Sequence, residues 1–157
     1  MCINNIKECH IMNDDLDDEK WEKEMRDNVV HYLDSGNVAQ YGEIGSEPAY
    51  SIPNIISIWA IESKSKPGFV GFWCFAGDIP TDVIQRNWND DKDNPRKALF
   101  RLLEQWKLWL PHLSQGDNPP DINLRSSAEM RKHMSSLLSL RIDFLQEVQG
   151  NDEYWEY

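Results

Sequence analysis

Residues 54–84 read NIISIWAIESKSKPGFVGFWCFAGDIPTDVI, two apolar, aromatic runs separated by a Ser/Lys/Pro/Gly loop. The runs at 55–61 and 69–76 are short, rich in β-branched and aromatic residues and bounded by turn formers, so they predict strands. On the first, Ile56, Ile58 and Ala60 share one face while Ile55, Ser57, Trp59 and Ile61 share the other. On the second, Val70, Phe72 and Cys74 oppose Gly71, Trp73 and Phe75. Neither strand has a polar face, so both faces are expected to be covered at least in part. Pro67-Gly68 suits a type II turn, because proline presets φ at one central position and glycine accepts positive φ at the next. The pair therefore predicts an antiparallel hairpin over about 54–62 and 69–76. Trp59, Phe69, Phe72, Trp73 and Phe75 would each bury roughly 200 Å² there, the densest concentration of apolar area in the chain. Gly71, a strand glycine among large side chains, calls for a close neighbour, of which a covering Trp ring is the simplest. The stretch then ends on a helix-start signal. Asp78 or Thr81 would be the N-cap and Pro80 would sit in the first turn.

Working outward, Asp14, Asp15, Asp17, Asp18 and Glu19 would open a helix whose positive N-terminal end they complement. Trp21, Met25, Val29 and Leu33, with Tyr32, form one apolar stripe, and Gly36 is its expected C-cap. Glu19–Lys23 and Glu22–Arg26 are i,i+4 pairs in the favourable order. Residues 37–53, rich in Gly, Ser and Pro, predict a long loop with a short strand near 38–41. Asn94-Pro95 starts a second helix as N-cap and first residue, with Leu99, Leu103, Trp106 and Leu110 on one seam and Leu102, Trp109 and Leu113 widening it. Ser126-Ser127-Ala128-Glu129 fits a capping box for the third. That helix carries Met134, Leu138, Ile142 and Leu145, flanked by Leu137, Leu140, Phe144 and Val148, and Gly150 ends it. The expected fold is α+β: a small antiparallel sheet covered by three helices at about 18–35, 95–112 and 127–149. Residues 1–13 would be a flexible arm and 14–157 a single globular domain. The tail at 152–157 either packs Trp155 on the domain or hangs free.

Composition narrows the function. The chain has 157 residues and a formal net charge of −11. That disfavours nucleic acid, which needs a basic footprint, and favours solubility or a basic protein partner; on the first helix the charge is most simply a solvated face. The longest uncharged run, 48–61, falls short of the roughly 20 residues a membrane helix needs. Three cysteines imply no disulfide framework, so a soluble cytoplasmic protein without cofactor is expected. Cys2, Cys9 and His10 lack the second pair that a metal finger requires, so no metal is expected. Residues 89–94 imitate a calcium loop, but Asn94 stands where glycine belongs and Phe100 where glutamate belongs. No Gly-x-Ser-x-Gly elbow or His-Glu-x-x-His is present.

The order Trp59-Ala-Ile-Glu-Ser-Lys64, Pro67-Gly68-x-Val70-Gly71-Phe-Trp73, Gly77-Asp78-Ile-Pro80-Thr81-Asp82, with the closing Asp-Glu-Tyr-Trp-Glu, resembles an uncharacterised family of small bacterial proteins. That family is catalogued as domain of unknown function 4826. The resemblance spans about residue 19 to the end and implies a compact bacterial domain without transferring an activity. Three readings follow from the residues. The first is a protein-binding or regulatory domain, immunity-like in kind, that meets a basic partner. The second is a small-molecule pocket between the hairpin and the long helices, lined by Trp59 and Trp73. The third is a small enzyme using Asp78 or Asp82 as a base beside Lys64. Binding is preferred over catalysis, and the oligomeric state is not legible.

Overall fold

The computed structural model describes the backbone of residues 3–120 and 122–156, with side chains from Asp15 onward. The chain divides into two compact units, Met1–Arg86 and Asn87–Tyr157. The first holds helix α1 (Ile3–Tyr32) and four strands, β1 (Tyr50–Ile52), β2 (Ile56–Glu62), β3 (Val70–Gly77) and β4 (Ile79–Gln85). The second holds α2 (Pro95–Ser114) and α3 (Ala128–Gly150), followed by one 3₁₀ turn at Asp152–Trp155. With a four-stranded antiparallel sheet and three helices, the class is α+β.

The sheet is a meander in the order β1-β2-β3-β4, every neighbour antiparallel. The central hairpin forms as its residues predict. Phe69 N–H donates to the Lys66 carbonyl at 3.2 Å across a turn in which Gly68 has φ +87°, the type II geometry. Ser57↔Ala76, Trp59↔Cys74 and Ile61↔Phe72 stand in register on one face. Met25, Val29 and Leu33 of α1 pack on Trp59, Ile61, Cys74 and Ala76, with Trp21 and Tyr32 half-buried beside them. This is the apolar stripe of the sequence, spent on one face of the sheet. On the other face Ile56, Ile58, Trp73 and Phe75 are buried as well. Gly36, at φ +90°, ends the extension of α1 at Leu33–Asn37.

Several expectations are corrected. Residues 79–85 are a strand, not a helix start: Thr81, Val83 and Ile84 are β-branched, and β3 supplies a partner through Trp73↔Ile84 and Cys74↔Val83. Pro80, which has no N–H to give, is tolerated because β4 is an edge strand. The short strand lies at 50–52 rather than 38–41, and Ile44 forms an isolated bridge with Ile61. The nearest neighbour of Gly71 is Ser63 rather than a Trp ring. The β2–β3 register shifts beside it, and a Cβ there would lie 2.9 Å from both Cα and Cβ of Ser63. Phe69 is 56% exposed and contributes little to the core. The first helix begins at Ile3, well before residue 18. The arm expected at 1–13 is therefore helical in backbone from Ile3, but the side chains of Cys2, Cys9 and His10 lie outside the described residues.

In the second unit Asn94 caps α2 through its side chain, which accepts from Lys97 N–H at 3.0 Å, with Pro95 opening the helix and Pro111 in its last turn. The α3 cap is Ser127, which accepts from Met130 N–H, so the capping-box register is one residue off. Leu99, Leu102, Leu103, Trp106 and Leu113 are buried, as are Leu138, Ile142, Leu145 and Val148. Leu140, placed on the flank of the α3 seam by its spacing, is 68% exposed. The tail packs: Trp155 Nε1 donates to the Val148 carbonyl at 2.8 Å, and Arg96 lies 5.8 Å over its ring while pairing with Asp152 at 2.9 Å.

One ion pair in this unit is buried. The Asp93 side chain is fully enclosed, accepting two bonds from Arg101 at 2.8 and 2.9 Å and the Asn87 N–H at 3.0 Å. Asp93→Asn removes the charge and turns one acceptor into a donor facing other donors. It should cost about 2–3 kcal/mol, read as a lower urea midpoint with an unchanged slope. A loss under about 0.5 kcal/mol, the scale of an ordinary surface change, would show that the pair is not holding this unit together.

Candidate functional site

Five side chains carry the sequence's site candidates, and the fold scatters them. Lys64 is exposed in the β2–β3 loop, and Asp78 is exposed in the β3–β4 turn, its N–H donating to the Ile55 carbonyl at 3.0 Å. The eight residues of β3 separate those two loops, a span of about 23 Å at roughly 3.3 Å per residue. Asp82 stands opposite Phe75 on β4. No base beside Lys64 is assembled from Asp78 or Asp82. Trp59 pairs with Cys74 whereas Trp73 pairs with Ala60, the next position along. The two tryptophans therefore occupy opposite faces of the sheet and cannot line one pocket.

Asp82 belongs instead to a polar patch at the junction of α1 and the sheet. It accepts its neighbour's Val83 N–H at 2.8 Å and a long 3.5 Å contact from the Tyr32 hydroxyl. Burial, then the Asp82 charge, pushes the Tyr32 phenol well above its ordinary range. The same two causes push the Cys74 thiol up to about 12. A buried thiol that stays protonated at neutral pH is a small hydrophobe and not a nucleophile. Among the described residues, no group of three His, Cys, Asp or Glu is placed to hold a metal ion.

What the fold does assemble is charge. Residues 1–86 hold 15 Asp and Glu against seven Lys and Arg, while residues 87–157 hold 12 against nine. On α1, Asp15, Asp17, Glu19, Glu24 and Asp27 are exposed, and Asp34 just beyond it is exposed too. The helix does not neutralise itself as its i,i+4 spacing suggests. Arg26 turns to the loop and donates to the Gly45 and Ile44 carbonyls at 2.9 and 3.2 Å. Glu22 accepts from the Ser51 hydroxyl at 2.9 Å. Among the described residues, the basic side chains Lys20 and Lys23 remain exposed on this face.

The loop that Arg26 grips is flanked by two clefts that the sequence did not announce. One, about 290 Å³, lies between α1 and residues 46–48 and is lined by Glu19, Lys23, Arg26, Glu47 and Pro48, with Trp59 contributing to its wall. The other, about 350 Å³, lies across the loop and is lined by Glu43, Ala60, Glu62, Gly68, Phe69 and Val70. Residues 42–45 run along β2, with Gly42 N–H donating to the Glu62 carbonyl at 2.9 Å and Gly45 N–H to the Ala60 carbonyl at 3.1 Å. The Glu62 carboxylate accepts Glu43 N–H at 3.3 Å and Gly68 N–H at 3.1 Å, clasping the loop to the hairpin turn. Gly42 permits this, since a Cβ there would lie 2.3 Å from Glu62 Oε1. The only sequence signal for the clasp is a glycine in a glycine-rich loop.

The model of one protein family, described as Domain of unknown function (DUF4826), matches residues 15–155, and the chain belongs to that family. No curated protein matches it. No solved structure matches it either. Among the described residues, no helix is long and apolar enough to cross a membrane.

Proposed function

We propose that this member of the DUF4826 family is a non-catalytic acidic domain whose α1 face receives a basic protein partner. Its role would be regulatory or immunity-like, in a bacterial cytoplasm. One observation carries the reading: the excess negative charge is concentrated in residues 1–86 and the exposed acids of α1, Asp15, Asp17, Glu19, Glu24 and Asp27, outnumber its exposed Lys20 and Lys23, while Arg26 is turned inward. Such a field accelerates encounter with a cationic surface and discriminates against anionic ones. The enzyme reading has less support, because Asp78 and Lys64 stand at opposite ends of β3, about 23 Å apart, Asp82 is engaged with Tyr32, and burial holds the internal thiol's pKa high. A small-molecule pocket is supported less well too. The cleft beside Trp59 is at the small end of the ligand-pocket range of roughly 300 Å³ and upward, and its rim is charged.

The test is retention of a basic protein on the immobilised chain at low salt and its release at about 0.5 M, where screening reaches only a few ångströms. Glu24→Lys with Asp27→Lys reverses two exposed charges without touching the apolar stripe, and should lower retention at least tenfold. Retention indifferent to both salt and the double variant would overturn the proposal.

A further inference from the structure

The cleft at Glu43, Glu62 and Phe69 has a chemistry distinct from the helix face. We infer that it is a receptor for one arginine side chain of the partner, an inference that rests on the acidic reading above. A pocket of about 350 Å³ has room for a guanidinium and its stem. Ala60 and Val70 offer an apolar floor for that stem, and the Phe69 ring, 56% exposed, offers a π surface at the mouth. Glu43 and Glu62 supply the counter-charge. Each Glu62 oxygen takes one backbone N–H and keeps a lone pair for a further donor. The ring already accepts a guanidinium from within the chain: Arg86 lies 5.9 Å from its centroid and donates to the Val70 carbonyl at 3.5 Å. The charged residues of the lining itself are these two carboxylates; Arg86 and the loop lysines Lys64 and Lys66 stand outside it. Arginine fits better than lysine because its flat, weakly hydrated fork stacks on a ring and bonds carboxylates together.

The experiment titrates the ¹⁵N-labelled chain with an acetylated tetra-arginine peptide and, in parallel, with the tetra-citrulline peptide, which has the same shape and no charge. The arginine peptide should shift the Ala60, Gly68 and Phe69 amides, and the citrulline peptide should not. Phe69→Ala, on an exposed side chain, should weaken that response about threefold to fivefold, the scale of an exposed cation–π contact. Glu43→Gln, which leaves the Glu62 clasp intact, should weaken it as well. Shifts confined to residues 15–34 would overturn the cleft while leaving the acidic helix face standing. Equal shifts from the citrulline peptide would also overturn it, as would a response that neither variant changes. The absence of any salt-dependent shift in the chain would overturn the functional reading and the cleft together.

Discussion

Gly77→Ala should lower the stability of the first unit by about 3 kcal/mol, a large share of the 5–15 kcal/mol a domain of ordinary stability has. The residue stands where β3 turns into β4, at φ +156°. A Cβ added there would lie 2.2 Å from the Ile55 carbonyl oxygen, 2.9 Å from its carbon and 3.0 Å from the Ile56 Cα. All three are backbone atoms, so no side chain can rotate to make room. The end of β2 must retreat, and with it go the Ile56↔Gly77 pairing and the 3.0 Å bond from Asp78 N–H to the Ile55 carbonyl. A lost hydrogen bond of about 1 kcal/mol and backbone strain of about 1–3 kcal/mol account for the figure. Gly36→Ala provides the contrast. Its φ is +90°, yet nothing lies within 4 Å of the added carbon, so it should lose only the roughly 1–2 kcal/mol of a left-handed residue without crowding. Urea denaturation of the two variants separates the effects. Equal losses would mean that conformation alone, and not the close approach of β2, requires glycine at 77.

The same junction marks where the sequence stops being readable. The hairpin, the α1 stripe and the Asn94 cap are local features: a period of two, a period of 3.6, or a side chain one turn from the N–H it satisfies. Each can be read in a window of a dozen residues. Residues 79–85 cannot. Asp78, Pro80 and Thr81 are good helix-start residues, and what makes 79–85 a strand is the pairing of Val83 and Ile84 with Cys74 and Trp73 on β3. Local preference yielded to a neighbour that an edge position makes available. Ser126 and Ser127 show a finer limit, since adjacent residues with the same capping chemistry leave the register open and the fold chose the second. For the candidate site, the acidic face of α1 was legible because charge and helical spacing occupy the same short segment. The clefts were not, because Gly42 and Glu62 are 20 positions apart in the sequence, and a clasp between them leaves no periodic trace. Lys64 and Asp78 fail for the converse reason: both flank the same strand, which sets them at its two ends.

Trp59→Ala should cost about 3–5 kcal/mol, the range for emptying a buried indole site. The ring is 1% exposed among Met25, Val29, Leu33, Ile61, Cys74 and Ala76, so its removal leaves a void shared by α1 and the sheet. Its polar end is satisfied inside: Nε1 donates to the Ser57 hydroxyl at 2.8 Å, and that hydroxyl donates to the Ala76 carbonyl at 2.8 Å. Trp59→Phe keeps much of the apolar contact and leaves Ser57 its own acceptor, so it should lose only about 1–2 kcal/mol. Ser57→Ala strands the indole N–H without water, at about 1–3 kcal/mol. In the double variant the two losses should not add, because neither partner is then left waiting for the other. Trp59→Phe also separates the two surfaces beside it. The ring contributes to the cleft wall, whereas the charges of α1 stand in solvent. A folded Trp59→Phe protein should therefore hold a basic partner at low salt as the parent does. Loss of that retention with the fold intact would move recognition from the helix surface into the cleft beside Trp59.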